Sequence, residues 1–135
     1  MTTDRLIVID AANVVGSRPN GWWKNRSAAT TALRDHVAAL AGTGLHSTTH
    51  PWTSRPPLDI VMIAEGKAKG VASTDTVTII DAPGNGDDAI VEYVTHCPHR
   101  HRLVVTSDRQ LQQRIHDTGA DTAPVSILKY GHTAG

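Results

Sequence analysis

Phenylalanine is absent from the 135-residue sequence, and the remaining aromatic residues amount to three Trp and two Tyr. The core must therefore be aliphatic, and few rings are on offer for stacking against bases. A single cysteine, Cys97, excludes an intramolecular disulfide and every metal framework built from paired cysteines. Thirteen basic and thirteen acidic residues cancel to a formal net charge of +0. No global positive field marks the chain as a nucleic-acid binder, so any such binding must come from a local patch. The eight histidines add little charge near neutrality. Long apolar runs are also missing, which excludes a membrane span. The opening MTTDRLIVIDAANVV stops its short apolar run at an acid, unlike a secretory signal. A cytoplasmic protein with no membrane partner is expected.

What is present fits a single domain over residues 1–135, large enough to bury a core without staples. Four β-branched or aliphatic runs stand out: LIVI (Leu6 to Ile9), DIVMIA (Asp59 to Ala64), TVTII (Thr76 to Ile80) and LVV (Leu103 to Val105). Runs of this length without polar alternation read as strands covered on both faces, as in a parallel sheet. VSILKY, Val125 to Tyr130, is a weaker fifth candidate. Helical spacing covers Ser27 to Ala41, Asp87 to His96 and Arg109 to Thr118, with Gly42 and Gly119 as stops after the first and third. Strands alternating with helices imply right-handed βαβ units and a doubly wound α/β domain with a mainly parallel sheet of four or five strands. Gly42 to Pro57, polar and punctuated by proline, reads as a surface loop, and Glu65 to Ser73 as a second connection with room for a short helix.

The acids fall where such a fold binds ligands, beyond the carboxyl ends of strands at the point where strand order reverses. Asp10 follows LIVI directly, and Asp108 closes the TSD turn after LVV. The stretch APGNGDDAIVEY turns into the helix that feeds the LVV strand, so its start, with Asp87 and Asp88, lies at the same edge. One member of that pair is expected to cap the helix and the other to join Asp10 and Asp108; Asp88 is the first choice and Asp87 the competitor, with Glu92 one turn further on. Carboxylates gathered in one crevice repel one another unless a cation neutralises them. Oxygen-only ligands suit Mg²⁺ or Mn²⁺, and phosphodiester hydrolysis is the natural chemistry of such an ion. Asn13 adds a neutral oxygen or orients water, and Thr106 and Ser107 offer hydroxyls at the same edge.

LIVIDAANVVG, GNGDDAIVEYV and LVVTSDRQL, in this order and approximate spacing, resemble the NYN domain of the PIN-like nuclease superfamily, in particular its YacP-like branch. The resemblance implies a PIN-like Rossmannoid three-layer sandwich and metal-dependent ribonuclease activity that leaves a 5′-phosphate and a 3′-hydroxyl. By motif it carries the catalytic and metal-binding roles to Asp10, Asp88 and Asp108, and places Asn13 in the first loop beside them. Arg109 and Gln110 stand where some PIN-like proteins have a further acid, which argues for a single metal. The resemblance also admits a homodimer, association with the ribosome and a toxin role.

For RNA, the basic candidates are Arg18, Lys24 and Arg26 in GSRPNGWWKNR, with Lys67 and Lys69 in EGKAKG, and Ser107 and Arg109 beside the acids are further substrate-binding candidates. Trp22 and Trp23 among those charges either stack on bases or pack on the core. The histidines of THCPHRHR match no zinc spacing and read as solvent-exposed. Glu65, after the second strand, reads as a solvated loop acid on the rim of the crevice. Two alternatives stand beside the ribonuclease: a non-catalytic RNA- or ribosome-associated module of the same fold, and a phosphohydrolase acting on nucleotides.

Overall fold

Side chains of a strand alternate between faces, so a strand apolar at every position demands cover on both sides. The computed structural model, which describes residues 4–16, 25–45, 49–98 and 100–129, provides that cover. Strands β1 (Arg5–Asp10), β2 (Asp59–Ala64), β3 (Val77–Asp81), β4 (His101–Val105) and β5 (Asp121–Ala123) form one sheet in the order β3-β2-β1-β4-β5. All four pairings are parallel. Helices α1 (Ala11–Gly16) and α2 (Arg26–Thr43) cover one face; α3 (Gly86–Thr95) and α4 (Arg109–His116) cover the other.

The alternation is visible along β1. Ile7 and Ile9 pack with Ile60, Met62 and Leu103 against Leu33 and Val37 of α2. Leu6 and Val8 turn the opposite way, with Val61, Ile63 and Val104, against Ile90 and Val94 of α3 and Leu111 and Ile115 of α4. Two aliphatic layers flank the central sheet, giving the three-layer α/β sandwich that the strand pattern predicts.

Three segments depart from the sequence reading. The fifth strand is Asp121–Ala123, and it pairs with β4 alone. A three-residue edge strand needs no apolar run, which is why it escapes the pattern. Val125 to Tyr130 is not a strand: Val125–Leu128 form a 3-10 turn that buries Leu128, and Tyr130 lies outside the described residues. Pro124 lacks the N–H a ladder needs, and the Ile127 and Lys129 N–H groups bond back to the Pro124 and Ser126 carbonyls. The segment after Asp10, read as a loop, begins as α1, which buries Ala11, Val14 and Val15 at helical spacing.

Gly42 to Pro57 is also more than a surface loop. Within its described part Leu45 and Thr53 are buried, the Leu45 N–H donates to the Thr53 carbonyl at 2.8 Å, and Trp52 packs against the core. Gly44 makes this return possible: its φ is 85°, and a Cβ there would stand 2.7 Å from the Ser54 carbonyl oxygen. Between Glu65 and Ser73 the chain makes a 3-10 turn at Gly66–Ala68. No helix among the described residues is long and apolar enough to cross a membrane.

Gly44→Ala should lower the unfolding free energy by roughly 1–3 kcal/mol in urea denaturation, because backbone strain and overlap act together. Gly42→Ala is the control. That glycine is exposed in α2, and a methyl group added there would meet no atom within 4 Å; the change should stabilise by up to about 1 kcal/mol.

Candidate acidic site at the sheet switch point

β1 leads toward β2 through α1 and α2, whereas the neighbouring β4 leads the other way, toward β5 through α4. This divergence leaves a crevice beyond their carboxyl ends. In it lies a depression of about 300 Å³ lined by Asp10, Ala12, Asn13, Glu65, Asn85, Asp87 and Asp108. Carboxylates from the end of β1, the residue after β2, the first turn of α3 and the cap of α4 thus share one space.

Asp10 is the most deeply placed, with 7 % of its surface exposed. Its Oδ1 accepts the Asn13 N–H at 3.3 Å, and its Oδ2 accepts the hydroxyl of the fully buried Thr106 at 2.9 Å. The Thr106 oxygen in turn accepts the Asp108 N–H at 3.2 Å, so a chain of hydrogen bonds ties the ends of β1 and β4 together. Burial pushes the Asp10 pKa up to about 6, these hydrogen bonds oppose the rise, and the negative charges of Asp87 and Glu65 add to it.

Asp108 does two things at once. Its Oδ1 accepts the N–H groups of Gln110 and Leu111, capping α4, while the residue also lines the depression. Asn13 uses its side-chain oxygen on the Ser107 N–H at 2.8 Å. That contact requires an oxygen, which fixes the amide orientation and turns toward other partners an NH₂ group, a donor suited to a phosphate oxygen or a water. Ser107 spends its hydroxyl holding the 3-10 turn, through the Val125 N–H at 3.1 Å.

The adjacent aspartates part company. Asp87 lines the depression, and its pKa is raised by burial and then by the charges of Asp108 and Glu65, against the pull of Arg114. Asp88, the first choice on sequence, is exposed and pairs with Arg114 at 2.8 Å, outside the lining. Neither is the cap of α3. Asn85 takes that place, its side-chain oxygen accepting the N–H groups of Asp87 and Asp88. Glu92, exposed, stays away from the depression.

Glu65 is the acid the sequence reading set aside. It stands in the wall, and its Oε2 accepts the Gly86 N–H at 2.6 Å. A Cβ at residue 86 would fall 2.8 Å from that oxygen, so glycine there lets the carboxylate reach the helix start. The available signal was positional: Glu65 directly follows an apolar strand, as Asp10 ends one.

Among the basic candidates, Arg26 and Arg109 open α2 and α4 and are exposed. Arg18 and Lys24 lie outside the described residues, as do Trp22 and Trp23. No cationic side chain is among the described residues lining the depression. Nor do any three acidic, His or Cys side chains among the described residues form a group that could hold a metal ion. The oxygen-only lining nevertheless suits a hard cation that keeps several of its waters and needs only one or two direct carboxylates, the habit of Mg²⁺.

The raised Asp10 pKa has a defined effect on stability in metal-free buffer. The folded state holds the proton more tightly than the unfolded chain, so this contribution is complete below about pH 4 and is lost as pH rises through about 6. Over that window the wild type should lose on the order of 2 kcal/mol that Asp10→Asn does not, read from urea unfolding in EDTA at stepped pH.

No known family model matches the sequence, and no curated protein matches it either. Among solved structures, the chain is similar to a crystal structure of a tryptophan-to-leucine mutant of Rae1 (YacP) from Bacillus subtilis, with a TM-score of 0.71 and 17% identity over 93% of this chain and 72% of that one. A second crystal structure of Rae1 (YacP) from the same organism aligns with a TM-score of 0.68 and 17% identity over 92% and 71% of the two chains. The five-stranded parallel sheet flanked by helices is therefore a YacP-like fold.

Proposed function

We propose that this chain is a metal-dependent ribonuclease that hydrolyses RNA phosphodiester bonds at the acidic depression. The observation that carries the reading is the shared wall of Asp10, Glu65, Asp87 and Asp108, a concentration of negative charge without a cationic side chain among its described lining. Mg²⁺ or Mn²⁺ is the proposed cofactor, which Asp10 and Asp108 would hold, with Asp87 and Glu65 as the further acids of the wall. When bound, such an ion polarises a phosphoryl oxygen and lowers the pKa of bound water. The chain's own residues do the rest. Asp87 would add a further carboxylate to the ion or would accept the proton of the attacking water, in the part that the sequence offers to either member of the pair. The Asn13 amide donates to a phosphate oxygen, and Arg26 and Arg109 hold neighbouring phosphates of the strand. Thr106 fixes Asp10 and the Asp108 backbone relative to each other. A cytoplasmic setting and an encounter with RNA on the ribosome are part of the same proposal.

A second reading, an RNA- or ribosome-associated module without turnover, draws on one specific observation: as they stand, the acids among the described residues form no ready coordination group. Cleavage of a mixed RNA pool in Mn²⁺, Mg²⁺ or EDTA separates the two. Asp10→Asn, Asp87→Asn and Asp108→Asn should each lower the rate by ~10²-fold or more. Asp88→Asn, which removes only an exposed ion pair with Arg114, should cut within a few-fold of wild type. Binding without cutting by folded wild type, in either metal, would replace the nuclease with the module. Equal losses in Asp87→Asn and Asp88→Asn would move the acid back to an ambiguous pair.

A further inference from the structure

A second cavity, of about 350 Å³, adjoins the acidic depression and shares Ala12 and Glu65 with it. Its wall changes character: among the described lining, Ala12, Val15, Ala68 and Gly84 are small or apolar, Thr30 is a buried hydroxyl residue, and Arg26 brings a positive charge. Gly66, Gly84 and Arg26 are exposed, so the space opens to solvent and is no closed packing defect. At this volume it sits at the small end of ligand cavities. The small residues Ala12, Ala68 and Gly84 leave room for a flat group beside Arg26, and a guanidinium packs against a planar ring or pairs with a phosphate next to it.

Glu65 supplies the polar contact. Its Oε2 is committed to the Gly86 N–H, which fixes the carboxylate between the two cavities and leaves Oε1 without a partner among the described residues. A carboxylate oxygen accepts from an amino group and repels carbonyl oxygens. Guanine, adenine and cytosine present an exocyclic amino group; uracil presents only an N–H flanked by two carbonyls.

We propose that this cavity receives one unstacked nucleobase bearing an exocyclic amino group, read by Glu65, from the nucleotide next to the phosphate held at the acids. The proposal rests on the ribonuclease reading for the identity of the neighbouring phosphate, and it assigns the substrate as single-stranded at that position. A base inside a duplex has its amino group engaged and its faces stacked, so it cannot enter.

The test uses free nucleosides, whose binding needs neither metal nor turnover. Guanosine, adenosine, cytidine and uridine are titrated separately into ¹⁵N-labelled protein while the backbone amides of Ala12, Ala68 and Gly84 are followed. Uridine should shift them least. Gly84→Val adds bulk where a Cβ would meet no atom within 4 Å and where the backbone is not left-handed, so it should fill the space without unfolding the chain. It should weaken binding at least ~10-fold, the loss of one good contact. Glu65→Gln keeps an acceptor for Gly86 and adds a donor, and should turn the preference toward uridine. Amides that no nucleoside moves, or that move equally in a folded Gly84→Val, would overturn the base pocket. In that event Asp10-dependent RNA cleavage would leave the nuclease standing alone. Nucleoside binding with the expected preference but no cleavage would support the pocket and sink the nuclease.

Discussion

A carboxylate at the inner end of a central strand must find donors or give up its charge, and Asp10 imposes that condition on the whole carboxyl edge. Thr106 answers it. One hydroxyl donates to Asp10 and accepts from the Asp108 backbone, so the position of β4 relative to β1 is set by the same group that partly stabilises the buried charge. Asn13 repeats the device one turn away, joining α1 to the β4 loop through the Ser107 N–H, and Ser107 passes it on to the 3-10 turn that closes the chain over the core. The site is therefore a consequence of how two parallel strands are pinned at their ends, and its acids inherit their places from backbone contacts.

The four apolar runs were legible because a doubly covered strand leaves no polar position in its sequence, and the order of strands and helices was enough to reach a doubly wound sheet. β5 was not legible, since an edge strand of Asp121, Thr122 and Ala123 has only one neighbour and little need to be apolar. α1 was missed for the related reason that six residues carry too few turns to show a period. Among the acids, Asp10 and Asp108 could be placed from their position after strands. Choosing between Asp87 and Asp88 could not be done from sequence, because it depends on where Arg114, on a different helix, draws one of them away. The cap of α3 is legible in GNGDD, where Asn85, a favoured capping residue type, precedes the aspartates.

Gly86 shows how a single missing methyl organises a wall. With a side chain there, the Glu65 carboxylate would be displaced from the helix start, and the boundary between the acidic depression and its apolar neighbour would shift with it. Each motif contributes one acid to the wall and Glu65 adds a fourth, and neutral residues of the motifs, Asn13, Gly86 and Thr106, hold the Asp10 and Glu65 carboxylates in place.

Asp10 and Thr106 are 96 positions apart in the chain, and the strands that carry them meet only when β4 inserts against β1. Contacts of such separation form late, since the chain must close a long loop before they repay it. During synthesis the amino-terminal three strands and α2 can begin to pack while the second wall of the crevice does not yet exist. Asp108 is thus kept apart from Asp10 and Glu65 until almost the entire sheet is in place, and the depression gains its last acid in the same event that completes the fold.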